Sequence, residues 1–138
     1  MHKIVIVLDS NIFISALIKD SITRKLIINC KELIVIPEFL LEEIRNYEEE
    51  IILKSKLDKE EYKKLLNILL KYVLVLPDEI ILPYREQAVE IIKDIDINDV
   101  LFIATALAFG DATIWSNDKK LKKQNKIKVI STQEIMQL

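Results

Sequence analysis

The sequence predicts one three-layer α/β/α domain over residues 1–138, in which helices cover both faces of a central, mostly parallel sheet of four or five strands. Two observations predict this fold. The strand-like segments are continuous apolar runs, which is typical of strands that are buried on both faces. Helix-like segments stand between them, as the crossover connections of a parallel sheet require. The chain is long enough for a substantial core, and no linker, repeat or low-complexity segment interrupts it.

Strand-like and helix-like segments alternate in the first half of the chain. Short apolar runs predict strands at residues 4–8 and 33–36, and Pro37 ends the second of them. Apolar residues at helical spacing predict helices at residues 12–17, 23–30, 38 to about 54, and 59–71. Asp58 stands before the last of these helices as its predicted N-cap.

The same alternation continues in the second half of the chain. Apolar runs predict strands at residues 73–76, 112–116 and 127–130. Helices are predicted at residues 83–93, 98–109 and 118–123, and at the end of the chain after Ser131. The helix at residues 98–109 is apolar on almost every side, so we expect it to be central and buried, with Gly110 as its C-terminal stop.

Composition excludes several classes of protein. A formal net charge of −2 argues against binding nucleic acid through bulk charge, although it leaves a local basic patch open. Cys30 is the one cysteine, so neither an intrachain disulfide nor a zinc cage of thiolates can form. Gly110 is the one glycine, which excludes the glycine-rich loops of the common nucleotide-binding folds.

The sequence carries no pattern typical of a membrane or exported protein. No apolar stretch approaches the roughly 20 residues that span a bilayer. The apolar run after Lys3 is short and meets Asp9 where a signal peptide would need small residues. We therefore expect a cytoplasmic, reducing location and no membrane partner.

Three acids stand where parallel strands bring residues to one edge of a sheet. Asp9 directly follows the first predicted strand, and Asp118 holds the matching place after the strand at residues 112–116. Asp99 begins the central helix, whose N-terminus is expected near the same edge. Because ligands of open α/β sheets bind outside the carboxyl ends of the strands, we expect these acids to share a crevice.

A fourth candidate lies on the helix that is predicted from residue 38. At about 100° per residue, Leu40, Ile44 and Ile51 define one apolar face of this helix. Glu43 falls at the border of that face, whereas Glu42 points almost opposite to it. Glu43 is therefore the glutamate that we expect to face inward.

The candidate acids would repel one another if they converged without a basic partner, which would raise some of their pKa values. Mg²⁺ or Mn²⁺ resolves this conflict, because hard divalent cations prefer carboxylate and water oxygens. The candidate metal ligands are Asp9, Asp96, Asp99 and Asp118. The candidates for supporting hydrogen bonds are Asn11, Ser116 and Asn117. Such a site is typical of metal-assisted phosphodiester hydrolysis.

The same acidic residues have ordinary structural explanations. Asp9 and Asp118 each precede a predicted helix and suit its N-cap. Asp96 and Asp99 form a D-x-x-D step that resembles a capping box, so a cap stays open for Asp96 beside a metal role. Glu43 alone would be a solvated helix acid. The six lysines after Asp118 suit a solvated surface, although beside an acidic site they also suit a polyanion backbone.

Four stretches of the sequence, taken in order, carry a family resemblance. They are IVIVLDSNIF, PEFLLEEI, DINDVLFIATALAFG and ATIWSND, and they contain Asp9, Glu43, Asp99 and Asp118 respectively. No single stretch is specific, but their order and spacing together span nearly the whole chain. On these motifs the sequence resembles the PIN domain, a family of metal-dependent nucleases that includes VapC-type toxin ribonucleases.

The resemblance implies a PIN-like fold and a catalytic pocket built from Asp9, Glu43, Asp99 and Asp118 with Mg²⁺ or Mn²⁺. Asp96 corresponds to an extra acid that some members carry. The implied activity is endonucleolytic hydrolysis of RNA that leaves a 5′ phosphate. Toxins of this family commonly pair with a small antitoxin and dimerise, so the resemblance also implies an antitoxin partner and a homodimer.

Two other functions are open on the sequence. The first is a PIN-like module that binds RNA or a protein partner without cutting, although the presence of all four acids argues against it. The second is a phosphoacceptor of the receiver or haloacid dehalogenase type, which also carries an Asp at a strand end. The dehalogenase pattern needs a second Asp two residues after the first, and this chain has Asn11 there.

Overall fold

Five parallel strands form the central sheet. They are β1 (Val5–Leu8), β2 (Leu33–Pro37), β3 (Leu74–Leu76), β4 (Ala112–Trp115) and β5 (Lys128–Ile130). The structure is a computed structural model that describes residues 4–18 and 21–137, and of Ser21 only the backbone. The strands lie in the order β3-β2-β1-β4-β5, and every neighbouring pair is parallel. The predicted α/β fold with a parallel sheet is confirmed.

Helices connect the strands and cover both faces of the sheet. Within the described ranges the α-helices are α1 (Ser10–Ile18), α2 (Ser21–Asn29), α3 (Glu38–Asn46), α4 (Glu48–Ser55), α5 (Lys59–Leu70), α6 (Asp78–Ile81), α7 (Arg85–Ile92), α8 (Val100–Phe109) and α9 (Thr132–Met136). Short 3-10 helices at Leu82–Tyr84, Ile97–Asp99 and Lys119–Lys123 precede α7, α8 and β5. No helix in the described ranges is both long and apolar enough to cross a membrane.

The central strand β1 supplies side chains to two hydrophobic cores. Ile6 and Leu8 belong to the core that contains residues of α1, α3, α4 and α5. Val7 belongs to the core on the other face, with residues of α7 and α8. Because successive side chains of a strand point to opposite faces, a strand that serves two cores has to be apolar throughout. This explains the uninterrupted apolar run before Asp9.

The prediction of one helix from residue 38 to about residue 54 is wrong. The structure divides this segment into α3 and α4 at Tyr47, whose φ of −109° and ψ of 18° are not helical. Asn46 and Tyr47 are weak helix formers, so little local preference maintains the helix at this point. The next helix starts with Glu48, Glu49 and Glu50, whose negative charge is favourable in a first turn.

Other predicted helices differ at their starts. Pro83 lies inside the 3-10 helix Leu82–Tyr84, so α7 begins at Arg85, and the short helix α6 before it was not predicted. The segment predicted as a helix at residues 118–123 is a 3-10 helix. The central helix α8 is buried as predicted, and it ends at Gly110, which has a φ of +76°.

Candidate functional site

Side chains from four separate parts of the chain meet in a pocket at the carboxyl edge of the sheet. The pocket has a volume of about 280 Å³ and is lined by Asp9, Ser10, Asn11, Glu43, Asp96, Asn98, Asp99, Phe102 and Asp118. The sheet topology explains this convergence. Strands β1 and β4 are parallel neighbours in which Leu8 pairs with Trp115, so the residues that follow them emerge side by side. The structure thus brings together all five acids that the sequence singles out.

Asp9 lies at the base of this pocket, and its side chain is only 5% exposed. Its Oδ1 accepts a hydrogen bond from the Ile12 N–H at 3.0 Å, as an N-cap of α1 does. The carboxylate also accepts hydrogen bonds from the Ser116 hydroxyl and from the Asn11 N–H. Burial raises the pKa of Asp9 above its ordinary value, the charge of Asp118 adds to the rise, and the hydrogen bonds oppose it.

Asp99 lies among the other acids with one oxygen left without a donor. Its Oδ2 is buried and has no hydrogen-bond partner among the described residues. Burial raises the pKa of Asp99 to about 7, and the charges of Asp96, Asp118 and Asp9 contribute to the rise, while the Lys120 ammonium partly opposes it. At neutral pH the metal-free protein therefore holds Asp99 in a mixture of protonated and ionised forms.

Three of the acids are close enough to share one ion. Asp96, Asp99 and Asp118 each offer a carboxylate oxygen, and these three oxygens lie within 4.8 Å of one another. Asp96 Oδ1 also accepts a hydrogen bond from the Asn98 N–H at 3.0 Å, and Asp118 Oδ1 accepts one from the Lys120 N–H at 2.9 Å. A cap therefore does not exclude a ligand role, because each carboxylate has a second oxygen. The capping box between Asp96 and Asp99 is not formed, since the Asp96 side chain accepts from the Asn98 N–H and the Asp96 N–H donates to the Ile92 carbonyl.

Glu43 reaches the same pocket from α3. The Ser10 hydroxyl lies 3.3 Å from its Oε1 and donates a hydrogen bond to it. Burial raises the pKa of Glu43, and this hydrogen bond opposes the rise. The neighbouring Glu42 is exposed and does not line the pocket. The border position of Glu43 on the helical wheel explains why this glutamate faces inward.

The three polar residues expected to support the acids take different places. Ser116 is buried and contacts two acids, because its hydroxyl also accepts a hydrogen bond from the Asp118 N–H at 3.0 Å. Asn11 is exposed at the pocket wall. Asn117 instead binds Thr132, to whose hydroxyl its Nδ2 donates at 3.0 Å and from whose N–H its Oδ1 accepts at 2.8 Å. Asn117 thus joins the loop after β4 to α9.

Three further residues of the pocket were not predicted to have a role there. Ser10 holds Glu43, and Asn98 and Phe102 form part of the wall. Phe102 also packs edge-on against Phe39 of α3, with ring centroids 5.0 Å apart. From the sequence, Ser10 is only a residue beside Asp9 that could share its N-cap role. Its partner Glu43 lies 33 residues away, so no local pattern indicates this pair.

The donors of the pocket fit a hard divalent cation. They are carboxylate oxygens, which Mg²⁺ and Mn²⁺ prefer, and among the residues that the structure describes no histidine or cysteine lines the pocket. The partnerless Oδ2 of Asp99 is an acceptor that burial makes costly unless a cation or a proton satisfies it. The cluster of Asp96, Asp99 and Asp118 can therefore bind a metal ion.

Comparison with known families identifies the class of protein. The family model described as PIN domain matches residues 7–137. The chain therefore belongs to the PIN domain family, as its four motifs predict. Comparison with curated proteins gives no significant match.

Solved structures show the same fold. One similar chain belongs to the crystal structure of VapBC2 from Rickettsia felis bound to a DNA fragment from their promoter. The TM-score is 0.66 and the sequence identity is 23%, and the match covers 93% of this chain and 98% of that chain. At this identity the similarity establishes a shared fold over nearly the full length of both chains.

Proposed function

We propose that this protein is a metal-dependent endoribonuclease that hydrolyses phosphodiester bonds of RNA. The main support is the cluster of Asp96, Asp99 and Asp118 oxygens within 4.8 Å, together with the buried, partnerless Oδ2 of Asp99. Membership of a family of metal-dependent nucleases supports the same function. A structural cap explains one oxygen of Asp96 and of Asp118, but not the gathering of five acids in one pocket.

Asp9, Asp96, Asp99 and Asp118 are the proposed ligands of Mg²⁺ or Mn²⁺. When bound, the cation activates water and neutralises charge on the phosphoryl oxygens. Asp99 releases its proton when the site is loaded, because positive charge favours the carboxylate. Asp9 is oriented by the Ile12 N–H and the Ser116 hydroxyl, which hold its carboxylate in one position before the cation arrives.

Glu43 has a different proposed role, as the proton acceptor for the attacking water. It lies at the pocket wall but outside the group of three close oxygens. Burial raises the pKa of Glu43 above that of a solvated glutamate, which brings this pKa nearer to neutral pH. A raised pKa suits a group that takes up a proton during the reaction. The Ser10 hydroxyl fixes the direction of its carboxylate.

Cleavage of labelled single-stranded RNA with Mn²⁺ or Mg²⁺ tests the proposal. We expect products with a 5′ phosphate, and no cleavage after addition of EDTA or in Asp9→Asn and Asp99→Asn. The matched control is Asp111→Asn, which changes an exposed acid that does not line the pocket and should leave the rate unchanged. Undiminished cleavage in both pocket variants would reject the assignment of the site.

The alternative is a PIN-like module that binds RNA or protein without cutting. Purified protein that binds varied RNA substrates in Mn²⁺ but leaves all of them intact would favour this alternative. We favour the enzyme because all four predicted catalytic acids line one pocket.

The similarity to a chain of VapBC2 supports a more specific proposal, in which this protein is the toxin of a toxin–antitoxin pair and forms a homodimer. Its partner would be a small antitoxin protein. Co-purification with the product of a short neighbouring reading frame, and arrest of growth when the protein is expressed alone, test the pairing. Light scattering tests the dimer. Normal growth with an active enzyme would contradict the toxin role and leave the nuclease role standing.

A further inference from the structure

A lysine-rich segment directly follows the acidic pocket. Residues 119–128 contain six lysines and no acid, although the whole chain has a formal net charge of −2. The six lysines are all exposed, and they are Lys119, Lys120, Lys122, Lys123, Lys126 and Lys128. The segment is thus a local basic surface on a weakly acidic protein.

The backbone that carries these lysines is held firmly. Leu121 and Ile127 are buried in the core beside α8. The side-chain amide of Gln124 joins the two sides of the loop: its Nε2 donates to the carbonyls of Leu121 and Ile127 at 3.0 and 2.6 Å. Its Oε1 accepts from the N–H groups of Lys126 and Ile127 at 3.0 and 2.9 Å. The positions of the lysine backbones relative to the pocket are therefore fixed by the fold.

The lysines fall into two groups. A 3-10 helix repeats about every three residues, so Lys120 and Lys123 share one side of Lys119–Lys123, and Lys119 and Lys122 share another. Lys122 forms an ion pair with Glu134 of α9, so its side is directed towards that helix. Among the described residues, the other five lysines of the segment form no ion pair.

Lys120 lies beside the acidic pocket, and Lys123 lines a second, larger cavity. The Lys120 N–H binds Asp118, and the charge of Lys120 acts on Asp99, so Lys120 stands beside the acids. Lys123 and Lys126 line a cavity of about 700 Å³ between α7 and the loop before β5. Glu90 of α7 and Asp94, in the turn after this helix, form the opposite wall of the cavity, and Glu90 is paired with Lys93 at 3.2 Å. The lysine side is thus the wall that attracts an anion.

We propose that Lys120, Lys123 and Lys126 bind successive phosphates of a single-stranded RNA on one side of the cleaved bond. The proposal rests on the ribonuclease function proposed above. The metal-free pocket of five acids repels a phosphodiester, and cations beside the pocket supply electrostatic attraction for the phosphates that flank the cleaved bond. Lys120 lies beside the acids, and Lys123 and Lys126 line the neighbouring cavity, so the positive charge extends away from the pocket as a single strand of nucleic acid would.

Fluorescence anisotropy of a fluorescein-labelled oligouridylate tests this binding path. The assay uses the full chain in EDTA, so that no cation-dependent cleavage occurs. We expect the triple variant Lys120→Gln, Lys123→Gln, Lys126→Gln to bind about tenfold or more weakly at low salt. The slope of log affinity against log salt should become shallower by about 2, because a single strand contributes about 0.7 for each neutralised phosphate.

The matched control removes the same charge elsewhere. Lys59→Gln, Lys63→Gln, Lys64→Gln changes three exposed lysines of α5, which packs in the core on the opposite face of the sheet. Unchanged affinity in the first triple variant, or an equal loss in both, would overturn the proposal. With active enzyme, the first variant should raise KM. A loss of RNA affinity confined to that variant supports the binding path even if the wild-type chain cuts no RNA. The experiment therefore distinguishes failure of the binding proposal from failure of the nuclease proposal.

Discussion

The hydroxyl of Ser116 joins two acids of the pocket that lie 109 residues apart in the chain, Asp9 and Asp118. It accepts a hydrogen bond from the Asp118 N–H at 3.0 Å and donates one to the Asp9 carboxylate. Ser116 is 1% exposed, so water cannot replace these hydrogen bonds when the hydroxyl is removed. One side chain at the end of β4 therefore sets the relative position of two proposed ligands.

Replacing Ser116 should weaken the metal site without unfolding the protein. In Ser116→Ala, Asp9 loses a hydrogen bond that lowers its pKa, and the turn that carries Asp118 loses an acceptor. We expect about 10- to 100-fold weaker Mn²⁺ binding, measured as the midpoint of the rise in melting temperature on titration. Ser116→Thr keeps the hydroxyl and is expected to retain most of the affinity. Equal Mn²⁺ midpoints for Ser116→Ala and the wild type would contradict this role.

Glu43→Gln should separate proton transfer from metal binding. Because Glu43 is proposed as the proton acceptor and the ligands are proposed to be Asp9, Asp96, Asp99 and Asp118, the variant should keep the Mn²⁺-dependent rise in melting temperature. Its RNA cleavage rate should fall by about 100-fold or more, as for the loss of a general base. Glu42→Gln changes the exposed neighbour and should cut at the wild-type rate. A loss of metal-dependent stabilisation in Glu43→Gln would instead identify Glu43 as a ligand.

The stability of the metal-free protein should depend on the ionisation of Asp99. In the fold its pKa is about 7, whereas an aspartate in an unfolded chain titrates near ~3.9. Below both values the group is protonated in either state and has no effect. As the pH rises from about 4 to 7, the unfolded chain releases a proton that the fold retains, so the free energy of unfolding decreases. Above pH 7 the loss is complete.

Asp99→Asn should remove this decrease in the free energy of unfolding at higher pH. We expect the variant to match the wild type at or below about pH 4, where Asp99 is protonated in both states, and to be more stable by about 1–2 kcal/mol at pH 8 after allowance for solvent screening. Urea unfolding in EDTA, followed by circular dichroism at both pH values, measures the difference. Asp111→Asn, an exposed acid outside the pocket, should show no such dependence. A stability difference that does not change with pH would contradict the raised pKa.

The stability of the fold should depend on Gly110 because of its backbone conformation and not because of the space around it. Its φ of +76° is unfavourable for any residue with a side chain, yet an added Cβ would meet no atom within 4 Å. We expect Gly110→Ala to lower the free energy of unfolding by at least about 1 kcal/mol, measured by urea denaturation. Asp111→Ala, at the next exposed position, serves as the control. A neutral or stabilising Gly110→Ala would show that the end of α8 relaxes to another conformation.

The sequence by itself determined the fold class, the order of most elements and the identity of the acids. Short continuous apolar runs of four or five residues predict buried strands, and an acid after each of two parallel neighbours has to emerge at the same edge. Periodicity also distinguishes Glu43 from Glu42, because a helix places adjacent residues about 100° apart. These conclusions depend on local properties that a short segment of sequence contains.

Only the tertiary structure decided how the acids are held and where helices break. The sequence does not locate the break at Tyr47, because weak helix formers such as Asn46 and Tyr47 are common inside helices as well as at their ends. The bond from Ser10 to Glu43, and the electrostatic effect of Asp9 on Asp99, join residues far apart in the chain. Burial and charge that raise the pKa of Asp99 exist only once distant segments have come together, and no local pattern encodes them.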